Sequence, residues 1–479
     1  MLKRQFLRAP AILLIAALAA ACAVNPVTGR KELALVSEQG EVDMGKETDA
    51  QIGREYGYYA DPELSRYVTQ IGQALVPYTH RPKLEYHFAV LDTPVVNAFA
   101  APGGYIYVTR GILALMNSES ELATVLGHEL GHVSARHTVR KLSQMILVQA
   151  GLAVGSALSD TFAKLSGVAG IGVQLLFLKY SRDDEREADA LGIRYSRAGR
   201  FNGVEMVRFF TALQHYGDLS GGHSLPGFLS THPLNAERIE NAKKMLGETD
   251  LALPTNEEAY KRRIDGIVYG DDPRQGFVEA GAFAHPGLGI TFTLPQGWEV
   301  QNTPAQVTMA GDKGNAAVIF QAEASSDDLS AYARKKTAGI EGRQDVDERP
   351  GPVNGMAGVH QVFTIVQAGQ DPLRARFSFI RKGGLVYTFS ALSKAGEFNR
   401  YDPTFLGVIG SFRDLTDPRL LNRVPRRLGL VRADGRRRYR EYFEQAGAGK
   451  DAWPLLAVMN DAEGIEAVPA AGREIKIVR

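Results

Sequence analysis

The pentapeptide His128-Glu129-Leu130-Gly131-His132 constrains this chain more than any other stretch, because it asks for one helix carrying two imidazoles on one face. Residues four apart on a helix share a face, so both rings can reach one metal ion while Glu129, one step round, addresses an attacking water. Leu122, Val125, Leu126, Leu130 and Val133 recur at helical spacing around the motif, and no proline interrupts them. Such a pentapeptide arises by chance in about one chain in a hundred at average residue usage, so it does not make a site by itself. A zinc ion that performs hydrolysis needs three protein ligands and one open position.

The third ligand has to come from further along. A metzincin would place a glycine seven residues and a histidine ten residues after the first histidine, but Ala135 and Thr138 stand there, so that class is excluded. His137 lies about 140° round a continuous helix from His132, which reads as a structural or surface position. In Ser181-Arg-Asp-Asp-Glu-Arg-Glu-Ala-Asp189, Glu185 and Asp189 again lie four apart. Glu185 can complete a His-His-Glu set, and Asp189 can accept the second N–H of a ligand histidine. Glu187 competes for the ligand role but stands about 200° round the helix from Glu185. Read alone, this charged run is a solvated helix start.

Read together, these motifs resemble a known family. His128-Glu129-Leu-Gly-His132, Asn97-Ala-Phe-Ala-Ala-Pro-Gly-Gly104, Glu185-Arg-Glu-Ala-Asp189 and Ser230-Thr-His-Pro233 stand in the order and spacing of the gluzincin metallopeptidases that include HtpX and the CAAX prenyl proteases, and they look most like its exported, BepA-like branch. The resemblance covers about residues 22–250. It implies one zinc ion per chain held by His128, His132 and Glu185, with Glu129 as general base and Asp189 behind the ligands. It further implies that His232 approaches the metal, closing its open position at rest or stabilising the transition state, and that Arg238 binds the oxyanion. The residues alone also allow a helix start at Thr231 or His232, with Pro233 in the first turn. The strand read around Asn97, Gly103, Gly104 and Tyr105 is expected to offer an edge that holds an extended peptide by main-chain hydrogen bonds, or else to be an ordinary interior hairpin.

The first residues carry Lys3, Arg4 and Arg8, then thirteen uncharged residues from Ala9 to Ala21, then Cys22, the only cysteine. That pattern is a signal peptide over 1–21, too short to span a membrane. Leu18-Ala-Ala-Ala-Cys22 resembles a bacterial lipobox, which implies lipidation at Cys22, and Ala23 after it implies the outer membrane, facing the periplasm. A net charge of +1 over 479 residues, with no basic stripe interleaved with aromatics, gives no nucleic-acid partner. Between the two halves of the site, Leu142–Leu178 is apolar and glycine-rich, suited to buried helices or a flap over the cleft and marginal as a membrane span.

The expected architecture is multidomain. A mainly α zincin-like metalloprotease domain with a small β-sheet occupies 22–250, and a linker with a short helix 251–273. An α+β sandwich occupies 274–418, with strands at Leu288–Leu294, Ala316–Gln321, Gln361–Val366, Arg374–Ile380 and Leu385–Phe389. A small β-α-α-β module over 424–479 resembles a degenerate LysM module, which makes peptidoglycan a candidate partner. Its Ala433-Asp434-Gly435 departs from the usual Gly-Asp-Thr. The whole implies a protease acting on unfolded or misassembled envelope proteins. A lipoprotein scaffold or chaperone with a latent or structural zinc site is the competing reading, and it has no use for Glu129.

Overall fold

Local capping defines the first helices. Ser37 accepts a hydrogen bond from Gly40 N to start α1 (Glu38–Tyr56), and Asp61 accepts from Leu64 N to start α2 (Pro62–Leu75), where Pro62 takes the first turn. Leu64, Val68, Ile71 and Leu75 form the buried stripe of α2. The computed structural model describes residues 22–152, 179–219, 227–367 and 369–479. The expected signal peptide and most of the apolar Leu142–Leu178 stretch lie outside the described residues. Among the described residues, no helix is long and apolar enough to cross a membrane.

The chain forms two units. The first comprises Met1–Gly53, Gly57–Gly270 and Arg426–Arg479; the second comprises Arg54–Tyr56 and Asp271–Pro425. In the first, Cys22 opens β1 (Cys22–Val24), which pairs antiparallel with β2 (Lys31–Leu33). A three-stranded sheet is made by β3 (His87–Leu91), β4 (Ala98–Ala101) and β5 (Tyr105–Thr109), in the order β3-β5-β4. β5 runs parallel to β3 and antiparallel to β4, so it is the central strand and β4 is an edge. This corrects the expected peptide edge. Tyr105 lies on the central strand, and Gly103 and Gly104 form the turn before it at φ 75° and 94°. Side chains there would strike Val42 Cα at 2.7 Å and Glu85 O at 2.4 Å, so these glycines serve close packing.

After α3 (Arg110–Leu115), Ser118 caps α4 (Glu119–Ser134) by accepting from Glu121 N. The helix carrying the histidine pair is buried at every position from Ser120 to Ser134, where the sequence marked a single apolar face. It ends at Ala135, and Arg136 adopts φ 55° before α5 (His137–Leu152) begins. There follow α6 (Arg182–Ala198), opened by a Ser181–Asp184 capping box, α7 (Glu205–Leu219), α8 (Gly227–Thr231) and α9 (Ala236–Met245).

The expected linker contains a packed helix, α10 (Glu257–Ile264), with Tyr260, Lys261 and Ile264 buried. Tyr260 Oη donates to Leu113 O at 2.7 Å. The β-α-α-β order over the C-terminus is present as β6 (Leu428–Arg432), α11 (Tyr439–Gln445), α12 (Trp453–Met459) and β7 (Glu474–Val478). It does not stand apart as a module over 424–479, because its core is continuous with that of the first unit. α12 packs on α7 and α3. Fully buried Lys476 donates from Nζ to the carbonyls of Ala114, Leu115 and Met116 at 2.9, 3.1 and 2.8 Å, closing the end of α3 just ahead of the metal-motif helix. Lys476→Met takes the amine donor from three buried carbonyls, of which Leu115 O keeps only a 3.5 Å contact from Asn117 Nδ2, and is expected to destabilise this unit by about 1–3 kcal/mol in urea unfolding. An unchanged midpoint would show that the amine is dispensable.

The second unit is α+β. Its larger sheet has seven strands in the order Arg343–Pro350, Gly358–Ile365, Leu373–Lys382, Leu385–Lys394, Ala316–Ala324, Val307–Gly311 and Glu299–Asn302, all neighbours antiparallel. A four-stranded sheet and helix Phe398–Gly410 complete it around Phe292, Phe320, Phe389, Phe405 and Phe412, while helix Leu329–Ala338 packs in a separate cluster with Val359, Phe379 and Val386. Arg343–Pro350 escaped the sequence reading because it is an edge strand dominated by charged residues.

Candidate metal centre

Three glycines bring α4 and α6 together. A side chain at Gly127 would meet Gly192 O at 2.9 Å, one at Gly131 would meet Ala188 Cα at 3.1 Å, and one at Gly192 would meet His128 N at 2.9 Å. The close crossing places His128 and His132 opposite Glu185. Gly127 and Gly131, four apart, leave one face of α4 without side chains, and that spacing is a signal the sequence carried unread.

His128, His132, Glu185 and His232 are all buried, and one ligand atom from each lies within 4.8 Å of the others. His128 Nε2 is 3.0 Å from His132 Nε2 and 3.3 Å from His232 Nδ1. Glu185 Oε1 is 2.9 Å from His232 Nδ1 and 3.6 Å from His132 Nε2, and Glu185 Oε2 is 3.7 Å from His128 Nε2. Zn–N bonds of 2.0–2.1 Å in a tetrahedron set donor–donor edges of about 3.3 Å, in the middle of that range. Burial and the adjoining rings of His128, His137 and His232 hold His132 well below its usual pKa, in the neutral form a metal requires. The set fits zinc.

Behind these atoms lies a charge network. Asp189 Oδ1 is 3.0 Å from His128 Nδ1, and Arg238 grips Asp189 through Nε and Nη2 at 2.8 and 2.7 Å. Arg238 Nη1 also reaches Glu185 Oε2 at 2.7 Å. Burial opposes the charge on Asp189, but Arg238 and His128 overcome it and hold the carboxyl down at about 2. Glu185 is likewise lowered against its burial, by His232, His128 and Arg238. The structure thus commits Arg238 to two buried carboxylates, where the resemblance implied an oxyanion ligand.

Glu129 is fully buried, and neither carboxylate oxygen has a hydrogen-bond partner. Its Oε1 lies 3.6 Å from His232 Nε2, and burial pushes its pKa up against the pull of His232 and His128. The Ala100 amide of edge strand β4 faces this carboxylate and draws its pKa down slightly, which sets β4 beside the site. Asn97 directly precedes β4, and Val96 O accepts from Phe228 N of α8 at 3.0 Å. α8 leads straight into His232, whose ring stacks on Phe228 at 4.6 Å.

Sequence reasoning missed three neighbours. Tyr180 stacks on His132 at 3.9 Å between ring centres, with its hydroxyl 2.9 Å from Thr138 Oγ1. A lone aromatic before the Ser181 cap carried no signal for that. His137 is buried against His132, and Glu187 reaches His137.

Residues 62–246 match the family model of Peptidase family M48. The chain is 30% identical over 260 residues to a "Beta-barrel assembly-enhancing protease" of Yersinia pestis, covering 52% of each chain. It is 26% identical to the protein of that name from Escherichia coli K12, over 58% of this chain and 61% of that one. It is also 28% identical to the "Mitochondrial metalloendopeptidase OMA1" of Schizosaccharomyces pombe, over 48% of this chain and 68% of that one. The chain spans about half the length of the first of these relatives. The histidine–glutamate site thus lies inside the 62–246 segment that matches Peptidase family M48.

Proposed function

We propose that this chain is a zinc-dependent endopeptidase of the bacterial cell envelope that cleaves misfolded or stalled envelope proteins. The observation that carries the reading is Glu129, a buried carboxylate whose nearest charged group is His232 at 3.6 Å and whose oxygens lack well-formed hydrogen bonds, beside four convergent donors. A buried carboxylate short of hydrogen bonds is costly, and a purely structural metal site has no use for one. When bound, zinc supplies a Lewis acid that acidifies water and polarises a peptide carbonyl. Glu129 takes the proton of the attacking water and returns it to the leaving amine. His128, His132 and Glu185 hold the ion, while Asp189 orients His128. β4 and the preceding Asn97 align an extended substrate beside Glu129 by main-chain hydrogen bonds.

One ring nitrogen of His232 joins the three ligand atoms within 4.8 Å, and would fill the fourth position at rest and withdraw as substrate enters. That fourfold convergence is the observation that favours a second reading, in which the site is latent and the chain acts as a scaffold. Relatives named for β-barrel assembly and for metalloendopeptidase activity support the envelope protease. With Cys22 lipidated, the chain sits in the periplasm on the outer membrane. Digestion of casein by the zinc-loaded protein is expected to fall at least about tenfold on chelation with 1,10-phenanthroline and to recover on adding zinc. Hydrolysis that survives complete metal removal, or none under any loading, counts against the reading.

A further inference from the structure

The two ligand histidines of α4 are supported in different ways. His128 Nδ1 faces the Asp189 carboxylate directly at 3.0 Å. His132 Nδ1 instead lies 2.8 Å from His137 Nδ1, and His137 Nε2 lies 3.1 Å from Glu187 Oε2. One assignment of protons satisfies this chain of contacts. With the Nε2 lone pair of His132 turned to the donor cluster, its proton sits on Nδ1 and is donated to His137 Nδ1. His137 then carries its own proton on Nε2 and donates it to the Glu187 carboxylate.

The geometry arises from a break in the helix. On a continuous helix His137 would point away from His132, but Arg136 at φ 55° reverses the local course, and α5 restarts at His137 with its ring against His132. His137 is only 1% exposed, whereas the Glu187 side chain is 25% exposed at the rim. Asp184 Oδ1 stands further from His137 Nε2, at 3.7 Å, and is paired with Arg140. Glu187, a competing ligand by sequence, stands one imidazole away from His132.

We propose that His137 and Glu187 are positioning residues that fix the tautomer and ring plane of His132 through a carboxylate–histidine–histidine chain. The proposal rests on the metal-site reading above. Partners behind ligand histidines are worth about 10–100-fold in metal affinity.

The test measures zinc affinity of the full chain by chelator competition, together with the visible spectrum of the Co²⁺-loaded protein. His137→Leu is expected to weaken zinc binding by about 10–100-fold and to alter the Co²⁺ bands. His137→Asn, whose amide oxygen can accept the His132 Nδ1 proton, is expected to stay within about threefold of wild type. Glu187→Gln weakens binding in the wild-type background and adds nothing to His137→Leu, the signature of residues acting in one chain. Unchanged affinity in folded His137→Leu, or equal effects of Glu187→Gln in both backgrounds, overturns the proposal. If His137→Leu does not fold, Glu187→Gln in wild type and in His137→Asn decides, and zinc affinity unchanged in wild type overturns it. Failure of the wild type to bind zinc sinks the metal reading and the proposal with it, whereas tight wild-type binding with unaffected variants sinks the chain alone.

Discussion

Glu129→Gln is expected to lower kcat/KM on an unfolded protein substrate by about 10²–10⁴ while leaving zinc content unchanged. Activity falls because glutamine keeps the shape of the side chain but cannot take a proton. Zinc stays because Glu129 is not among the four donors that converge within 4.8 Å. The same substitution relieves the fold. Glu129 is fully buried without well-formed hydrogen bonds, and the 3.6 Å contact with His232 offsets its desolvation only in part, so a neutral amide removes a desolvated charge and the metal-free protein is expected to gain on the order of 1 kcal/mol. Lost proteolysis with raised stability marks a residue kept for chemistry. Full activity in metal-loaded Glu129→Gln would remove the general base from the mechanism.

Arg238→Ala carries the largest expected effect on stability. The guanidinium is 4% exposed and bridges Asp189 and Glu185, both buried, and burial of Arg238 itself is offset by those two carboxylates. Removing one partner of a buried ionic network strands the charges that remain, which costs about 3–5 kcal/mol. Asp189 also loses the partner that keeps it ionised and aimed at His128 Nδ1, so zinc affinity drops with stability. Urea unfolding of metal-free protein and a zinc titration measure the two losses. A change below about 1 kcal/mol would show that Asp189 and Glu185 tolerate burial without the arginine.

The parts of the site that were legible in the sequence are those that depend on helical period alone. His128 with His132, and Glu185 with Asp189, lie four apart, and any helix places such pairs on one face. His137 stands outside the donor cluster as a structural residue, but its contact with His132 went unread for the same reason, because the helical wheel assumed an unbroken helix and Arg136 breaks it at φ 55°. Tyr105 was read onto the open edge because a strand's neighbours are not a local property. The pairing of β5 on both sides gives the edge to Ala98–Ala101. The C-terminal β-α-α-β order was readable from alternation and turns, but its place was not. Lys476 reads as a solvated strand lysine until the carbonyls ending α3, some 360 positions earlier, surround it.

The sequence by itself determined that one helix presents two imidazoles and a carboxylate and that a second presents a matching acid pair, because a period of 3.6 residues is dictated by the backbone. Only the tertiary structure decided what closes around them. His232, 104 positions from His128, reaches the donor set through the packing of α8 beside β4. Glycine-lined contact sets the distance between α4 and α6. Buried charges such as Arg238 find partners only once segments distant in the chain have excluded water together, and no local pattern records that event.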